Sequence, residues 1–204
     1  MRPLSLLILC YVASAHAEID LSARKVSAAP GSIAATVLIE EVQKRIGGNW
    51  GSKGQPLTLT LNPSEPGIND EGYLLEVSST GITRLTAHTE RGLLFGVGAL
   101  LRKANWSQGK FSLPSELRER TSPAYPIRGH QLGYRATANS WDAWTVEQYD
   151  QYIRELALFG VNAIENIPFQ DTKPAPLMKL PRRDMNREIS RICQKYDVEY
   201  WIWL

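Results

Sequence analysis

The stretch Val198-Glu199-Tyr200-Trp201-Ile202-Trp203-Leu204 constrains the fold most. A strand apolar on both faces needs neighbours on both edges and cover above and below, which is the setting of a parallel sheet; at an exposed edge it would be an aggregation site. The residues before it fit that demand. IRGHQLGYR reads as a short strand and WDAWTVEQYDQYIRELALFG as a helix that opens on the capping box Thr145-Val146-Glu147-Gln148. VNAIENIPF reads as a strand and DMNREISRICQKYD as a second helix. The stripe Tyr149, Ile153, Leu156 and Gly160 marks the inner side of the first helix, and Asp150 with Arg154 at i, i+4 is expected on its outside. The order β-α-β-α-β implies parallel strands joined by right-handed crossovers. A (β/α)8 TIM barrel takes about 250 residues, so residues 127–204 are expected to be its first three β/α units, with the sequence ending before the barrel closes.

Residues 18–117 have a different texture and are expected to form a small α+β domain. GSIAATVLIEEVQKRIGG carries apolar residues at Ala35, Leu38, Ile39, Val42 and Ile46, with Ser32 as N-cap and Gly47-Gly48 as the stop. PLTLTLN, GYLLEVSS and GITRLTAH are three strands separated by Pro, Gly, Asn and Asp clusters. TERGLLFGVGALLRK returns to helical period behind Thr89 as N-cap. Its Gly92 and Gly96, four apart, clear a stripe that lets the helix lie close on a sheet, against a helix-propensity cost of about 1 kcal/mol each. Two helices on one face of an antiparallel sheet is the expected arrangement. His88, at the end of a strand, is expected to pack rather than ligate a metal. Residues 118–126, containing SPAYP, read as a linker, so the chain as a whole is of the α/β class.

At the N-terminus, MRPLSLLILCYVASAHA has a basic start at Arg2, an apolar run from Leu4 to Val12 and an Ala15-His16-Ala17 exit, the pattern of a signal peptide (1–17) cleaved before Glu18. A membrane anchor is the competing reading, but the run is short of the roughly 18 residues a spanning helix needs. Export to the periplasm or medium of a bacterium is therefore expected, with no membrane association after cleavage. Cleavage leaves Cys193 as the only thiol, on the edge of a stripe formed by Met185, Ile189, Ile192 and Tyr196; it reads as a small buried hydrophobe, with a nucleophile as the alternative. A net charge of +2 over 204 residues, without a long basic run, argues against a nucleic-acid binder. No cofactor or metal motif is visible, so none is expected, and oligomeric state is not legible.

The combination of TERGLLFGVGALLR in a small α/β domain, a Pro-rich linker, and YPIRG opening a barrel resembles the N-terminal part of exo-acting glycoside hydrolases. These include the α-glucuronidases of family 67 and the β-N-acetylhexosaminidases of families 20 and 84. The Leu100-Leu101-Arg102 ending resembles the α-glucuronidase helix. Arg128-Gly129 with Gly133-Tyr134, and Asn162 followed by Pro168 and Asp171, resemble family 84. Glu165 and Ile167 stand where family 20 enzymes tend to have histidines.

The resemblance implies a carbohydrate substrate and hydrolysis of O-glycosyl bonds. Action on xylan side chains like an α-glucuronidase is the leading expectation. A β-N-acetylhexosaminidase and a non-catalytic carbohydrate-binding module are the alternatives.

In such barrels the site lies at the C-terminal ends of the strands, which in this sequence are Tyr134-Arg135, Glu165 to Asp171 and Trp203-Leu204. Arg135 offers a planar fork for a hydroxyl or carboxylate, Asn166 and Asp171 suit sugar hydroxyls, Trp203 can stack on a pyranose, and Glu165 is the one strand-borne carboxylate. Each has a plain interstrand or loop contact as its alternative. His130, earlier in its strand, is expected to be structural, and Trp141 and Trp144 either border the sugar or pack over the rim. Glycoside hydrolysis needs two carboxyl groups or one with a substrate acetamide. The resemblance puts the catalytic acid on later strands, outside this sequence.

Overall fold

Ser32 begins the first helix as its side chain dictates, its Oγ accepting the Ala35 N–H at 3.2 Å, and Gly47 ends it at a φ of 76°. This is a computed structural model that describes residues 17–132, 140–166 and 176–202. The first part runs β1 (Glu18–Asp20), β2 (Arg24–Ser27), α1 (Ile33–Ile46), β3 (Gln55–Leu61), β4 (Tyr73–Val77), β5 (Thr83–Ala87), α2 (Glu90–Lys103), β6 (Asn105–Ser107), β7 (Lys110–Pro114) and β8 (Leu117–Thr121). A five-stranded sheet has the order β2-β3-β5-β4-β8, and β1, β7 and β6 form a separate three-stranded antiparallel sheet.

The larger sheet is mixed rather than antiparallel. β2, β3 and β5 are mutually parallel, β4 runs against them, and β8, antiparallel to β4, runs with them. The cause is β2, too short to be legible as a strand: α1 is the crossover that returns the chain beside β2 in the same direction. Residues Arg118–Thr121, expected in the linker, are instead sheet residues paired with β4.

Leu57, Leu59, Leu75, Val77, Leu85 and Ala87 turn to the helix side and are buried there with Val37, Leu38, Val42, Leu93, Val97 and Leu100. At about 1.5–3 kcal/mol for each large aliphatic side chain, this layer outweighs any surface ion pair. α1 is rotated by about a residue from the expected face: Ala34, Val37 and Glu41 are buried, while Ala35, Ile39 and Ile46 are only half-buried. Thr89 caps α2 as expected, its Oγ1 accepting the Gly92 N–H at 3.2 Å. Gly92 and Gly96 do lie against the sheet; a Cβ on Gly92 would stand 2.6 Å from the Gly72 carbonyl, and one on Gly96 would press into Leu85. His88 donates its Nε2–H to the Glu65 carbonyl at 2.9 Å, a packing role.

The second part contains β9 (Gly129–Gln131), α3 (Val146–Leu158), β10 (Ala163–Asn166), α4 (Arg182–Lys195) and β11 (Glu199–Ile202). The three strands are parallel in the order β9-β10-β11. The capping box forms, Thr145 and Gln148 each bonding the other's backbone N–H. Three parallel strands with two helices are what the described residues contain, and the complete barrel remains a proposal. Cys193 is fully buried and desolvation pushes its thiol up to about 12, which suits packing and not nucleophilic attack.

Asp150 and Arg154 do not form the expected surface pair. Arg154 is buried and bonds Glu41 (3.1 Å), Glu40 and the Tyr196 hydroxyl (3.2 Å), while Asp150 accepts from Lys195 (2.8 Å) and Tyr196 (2.5 Å). The reason is that α3 packs against both α2 and α4, so its flank is interior.

A second polar cluster joins the two parts beneath the N-terminal ends of β9 and β10. Glu71 accepts from Arg91 (2.8 Å), Arg128 (2.6 Å) and the Asn162 side chain (3.0 Å), and Arg91 also pairs with Asp197 (3.1 Å). Arg128 and Asn162 are thus committed to the base of the parallel sheet. Burial alone would raise the Glu71 carboxyl, but bonds from Arg91, Asn162 and Arg128 outweigh it and hold the group below its ordinary value. A depressed folded-state pKa contributes stability above the unfolded value of about 4.3 that is lost as the pH falls through the folded one. Thermal melts between pH 6 and pH 3 should show a falling midpoint in the wild type, and Glu71→Gln should start lower and fall less steeply. An identical pH slope in the variant would remove Glu71 from the account.

Candidate functional site

Alternation along the three parallel strands separates two faces. His130, Ile164, Asn166, Tyr200 and Ile202 share the face that α3 and α4 cover. Gly129, Gln131, Ala163, Glu165, Glu199 and Trp201 share the other. On that second face the register aligns Gln131, Glu165 and Trp201 as one row across β9, β10 and β11, near their C-terminal ends.

The row is chemically mixed and open. Gln131 is exposed, Trp201 is 45% exposed, and Glu165 is half-buried with no partner for its carboxylate among the described residues. The Trp201 indole N–H donates to Glu199 at 3.1 Å, which orients the ring, and Leu132 N–H donates to the Glu165 carbonyl at 2.7 Å, which fixes the strand end. An amide, a carboxylate and an indole at one level can bind hydroxyls and offer an apolar face.

Asn166, the neighbour of Glu165, points the other way. Its amide N–H donates to Asn186 Oδ1 (2.5 Å) and the Tyr200 hydroxyl (3.1 Å), and Tyr200 in turn donates to Asn186 (3.0 Å). This closed trio pins β10 and β11 to α4, so Asn166 acts as a positioning group rather than on the open face. Burial pushes the Tyr200 phenol up to about 12.

His130 lies within 2.9 Å of the Tyr152 hydroxyl, and Trp144 packs edge-on against Tyr149 and Tyr152, centroids 5.5 and 5.0 Å away. Desolvation lowers the His130 pKa, so its ring is neutral near pH 7. Both residues belong to the helix-covered side. Arg135, Asp171 and Trp203 lie outside the described residues, as does the side chain of Trp141.

Gln131 was not singled out by sequence reasoning. Its signal was available: it stands two residues beyond Gly129, and therefore on the same face, in the strand that pairs with Glu165's. The trio of Asn166, Asn186 and Tyr200 had no signal short of the tertiary packing. Among the described residues, no group of three His, Cys, Asp or Glu side chains is placed to hold a metal ion, and no helix is long and apolar enough to cross a membrane.

No protein-family model and no curated protein matches the sequence. Solved structures do match the fold. The GH20 exo-β-N-acetylglucosaminidase of Vibrio harveyi, in complex with N-acetylglucosamine, superposes with a TM-score of 0.67 at 16% identity over 91% of this chain. The GH20 β-N-acetylhexosaminidase of Streptomyces coelicolor gives 0.65 at 16% over 92%, and CpGH84B gives 0.64 at 16% over 91%. The chain spans 33%, 43% and 34% of those proteins, respectively. Its sheet layer and parallel unit together therefore have the fold of roughly a third of a family 20 or family 84 glycoside hydrolase.

Proposed function

We propose that this chain is the forward part of an exo-acting glycoside hydrolase of the β-N-acetylhexosaminidase type. The observation that carries the reading is the continuous fold match across both parts to family 20 and family 84 structures, one named as an exo-β-N-acetylglucosaminidase and one as a β-N-acetylhexosaminidase. The leading expectation from the sequence, an α-glucuronidase, leaned on the Leu100-Leu101-Arg102 ending, and the fold matches favour the β-N-acetylhexosaminidase alternative instead; in the structure that stretch is the end of a buried helix with no part in the open face.

The row Gln131, Glu165 and Trp201 lies on the open face of the parallel unit, at the rim where a (β/α)8 barrel binds its substrate. In this reading Glu165 accepts sugar hydroxyl protons, Gln131 bonds a neighbouring oxygen, and Trp201 packs on a pyranose face. Arg135, Asp171 and Trp203, which lie outside the described residues, are proposed as further groups for the same substrate. Among the described residues β11 is an edge of the parallel sheet, and in this reading a further β/α unit pairs with it. Its helix would fit the groove of about 330 Å3 formed by Arg183, Asn186, Arg187, Ser190, Tyr200 and Ile202. Two carboxyl groups, or one with the substrate's acetamide, are required for the cleavage, so the acid belongs to such later units. Export with cleavage before Glu18 completes the proposal.

The test is hydrolysis by the protein as its source organism makes it. Release of N-acetylglucosamine from a β-N-acetylglucosaminide is expected, and a preference for a glucuronic acid side chain of xylan would restore the α-glucuronidase reading.

A further inference from the structure

The outer face of the five-stranded sheet, opposite α1 and α2, carries a hollow that the rim does not explain. Register places Glu76 between Arg84 of β5 and Arg118 of β8. Beyond that row the β4–β5 turn brings Ser78 against Ile82, through a Ser78 N–H bond to the Ile82 carbonyl at 2.9 Å, while Glu116 leads into β8. Ser78 is the shortest of the eight side chains that line the hollow. The hollow measures about 290 Å3, near the lower end of the roughly 300–1,000 Å3 typical of small-ligand sites.

Its chemistry is specific. Arg118 is taken by Glu76 at 3.1 Å, whereas Arg84 and Glu116 have no hydrogen-bond or ion-pair partner among the described residues. Ile82, 44% exposed, supplies an apolar patch between them. Two arginines and two glutamates leave the lining without net charge, which disfavours an anion. A planar donor fork, a carboxylate acceptor and an aliphatic surface suit a ligand rich in hydroxyls with an apolar C–H face.

We propose that this hollow is a second, non-catalytic carbohydrate site that takes one or two rings of a neutral saccharide. The inference rests on the reading of the protein as acting on glycans, and it would hold a glycan chain at a distance from the rim. Arg84 donates to ring or hydroxyl oxygens, Glu116 accepts hydroxyl protons, and Ile82 packs beneath the ring.

The experiment is a titration of the protein with N,N′-diacetylchitobiose, followed by amide chemical shifts. Shifts at Ser78, Ile82, Arg84 and Glu116 are expected, with affinity reduced about fivefold or more in Arg84→Ala and in Glu116→Gln, as loss of a hydrogen bond to a charged group implies. Shifts at these residues without any hydrolase activity would sustain this site and sink the proposed function. Shifts confined to Gln131, Glu165 and Trp201 would overturn this site and leave the function standing. Sodium glucuronate giving the same sheet shifts at lower concentration would overturn the neutral-saccharide assignment. The wild-type map decides the matter even if a variant fails to fold.

Discussion

Gly98→Ala should lower the melting temperature by roughly 2–8 °C, the reverse of what a glycine-to-alanine change in a helix normally does. Gly98 lies in the middle of α2, where a Cβ would fall inside contact distance of the Leu158 carbonyl, with the Arg102 guanidinium 3.0 Å away. The obstructing atoms are backbone at the C-terminal end of α3, held by the Arg102 bond to the Leu158 oxygen at 2.5 Å. Relief therefore requires α3 to move as a body. Overpacking of this kind costs about 1–3 kcal/mol and sometimes more, and here it outweighs the gain of about 1 kcal/mol in helix propensity. Gly129→Ala is the control: its nearest neighbour would be the Ala163 carbonyl at 3.9 Å, so its melting temperature should stay level or rise slightly. Differential scanning calorimetry of the two variants checks both. A neutral Gly98→Ala would mean that α2 and α3 are not in close contact.

Arg154→Ala should destabilise the protein by about 2–4 kcal/mol. Removing one member of a buried pair costs about 3–5 kcal/mol because the partner charge stays buried. Glu41, whose side chain is 6% exposed, keeps bonds from Lys44 (3.0 Å) and Arg45 (2.8 Å), which moderates the loss. Burial works to raise the Glu41 carboxyl, and the bonds from Arg45, Lys44 and Arg154 hold it low. Adding Glu41→Gln to Arg154→Ala should therefore cost less than the sum of the single changes, since the uncompensated charge is gone. Denaturant melts of the four proteins close the cycle, and additive losses would contradict the direct pair. The pair spans α1 and α3, so the loss should weaken the joint between the sheet layer and the parallel unit.

Much of this architecture was legible because its signals are local. Ser32, Thr89 and Thr145 each name the start of a helix, Gly47 names a stop, and the alternating runs of β3, β4 and β5 name strands. The parallel order of β9, β10 and β11 followed from the alternation of strand and helix. What was not legible depends on contacts far apart in sequence. The mixed sheet turns on β2, four residues with no periodicity of their own. The burial of Arg154 turns on α1 more than a hundred residues earlier. Asp150 and Arg154 match the pattern of a surface pair, and nothing within α3 distinguishes them from one.

The site divides in the same way. Glu165 and Asn166 were both named as rim candidates because adjacency in sequence is visible, but adjacency in a strand means opposite faces. Only the cover by α4 reveals that Asn166 is the structural member and Glu165 the open one. Gln131 and Trp201 acquire meaning from the register that aligns them with Glu165.

The measurement that bears most directly on the account is kcat/KM of the protein, isolated from its source, on a β-N-acetylglucosaminide and on an aldobiouronic acid, with Glu165→Gln beside the wild type. Turnover of the β-N-acetylglucosaminide, a negligible rate on the uronide and a raised KM in Glu165→Gln are expected. Turnover of the uronide alone, or no turnover of either compound, would contradict the account.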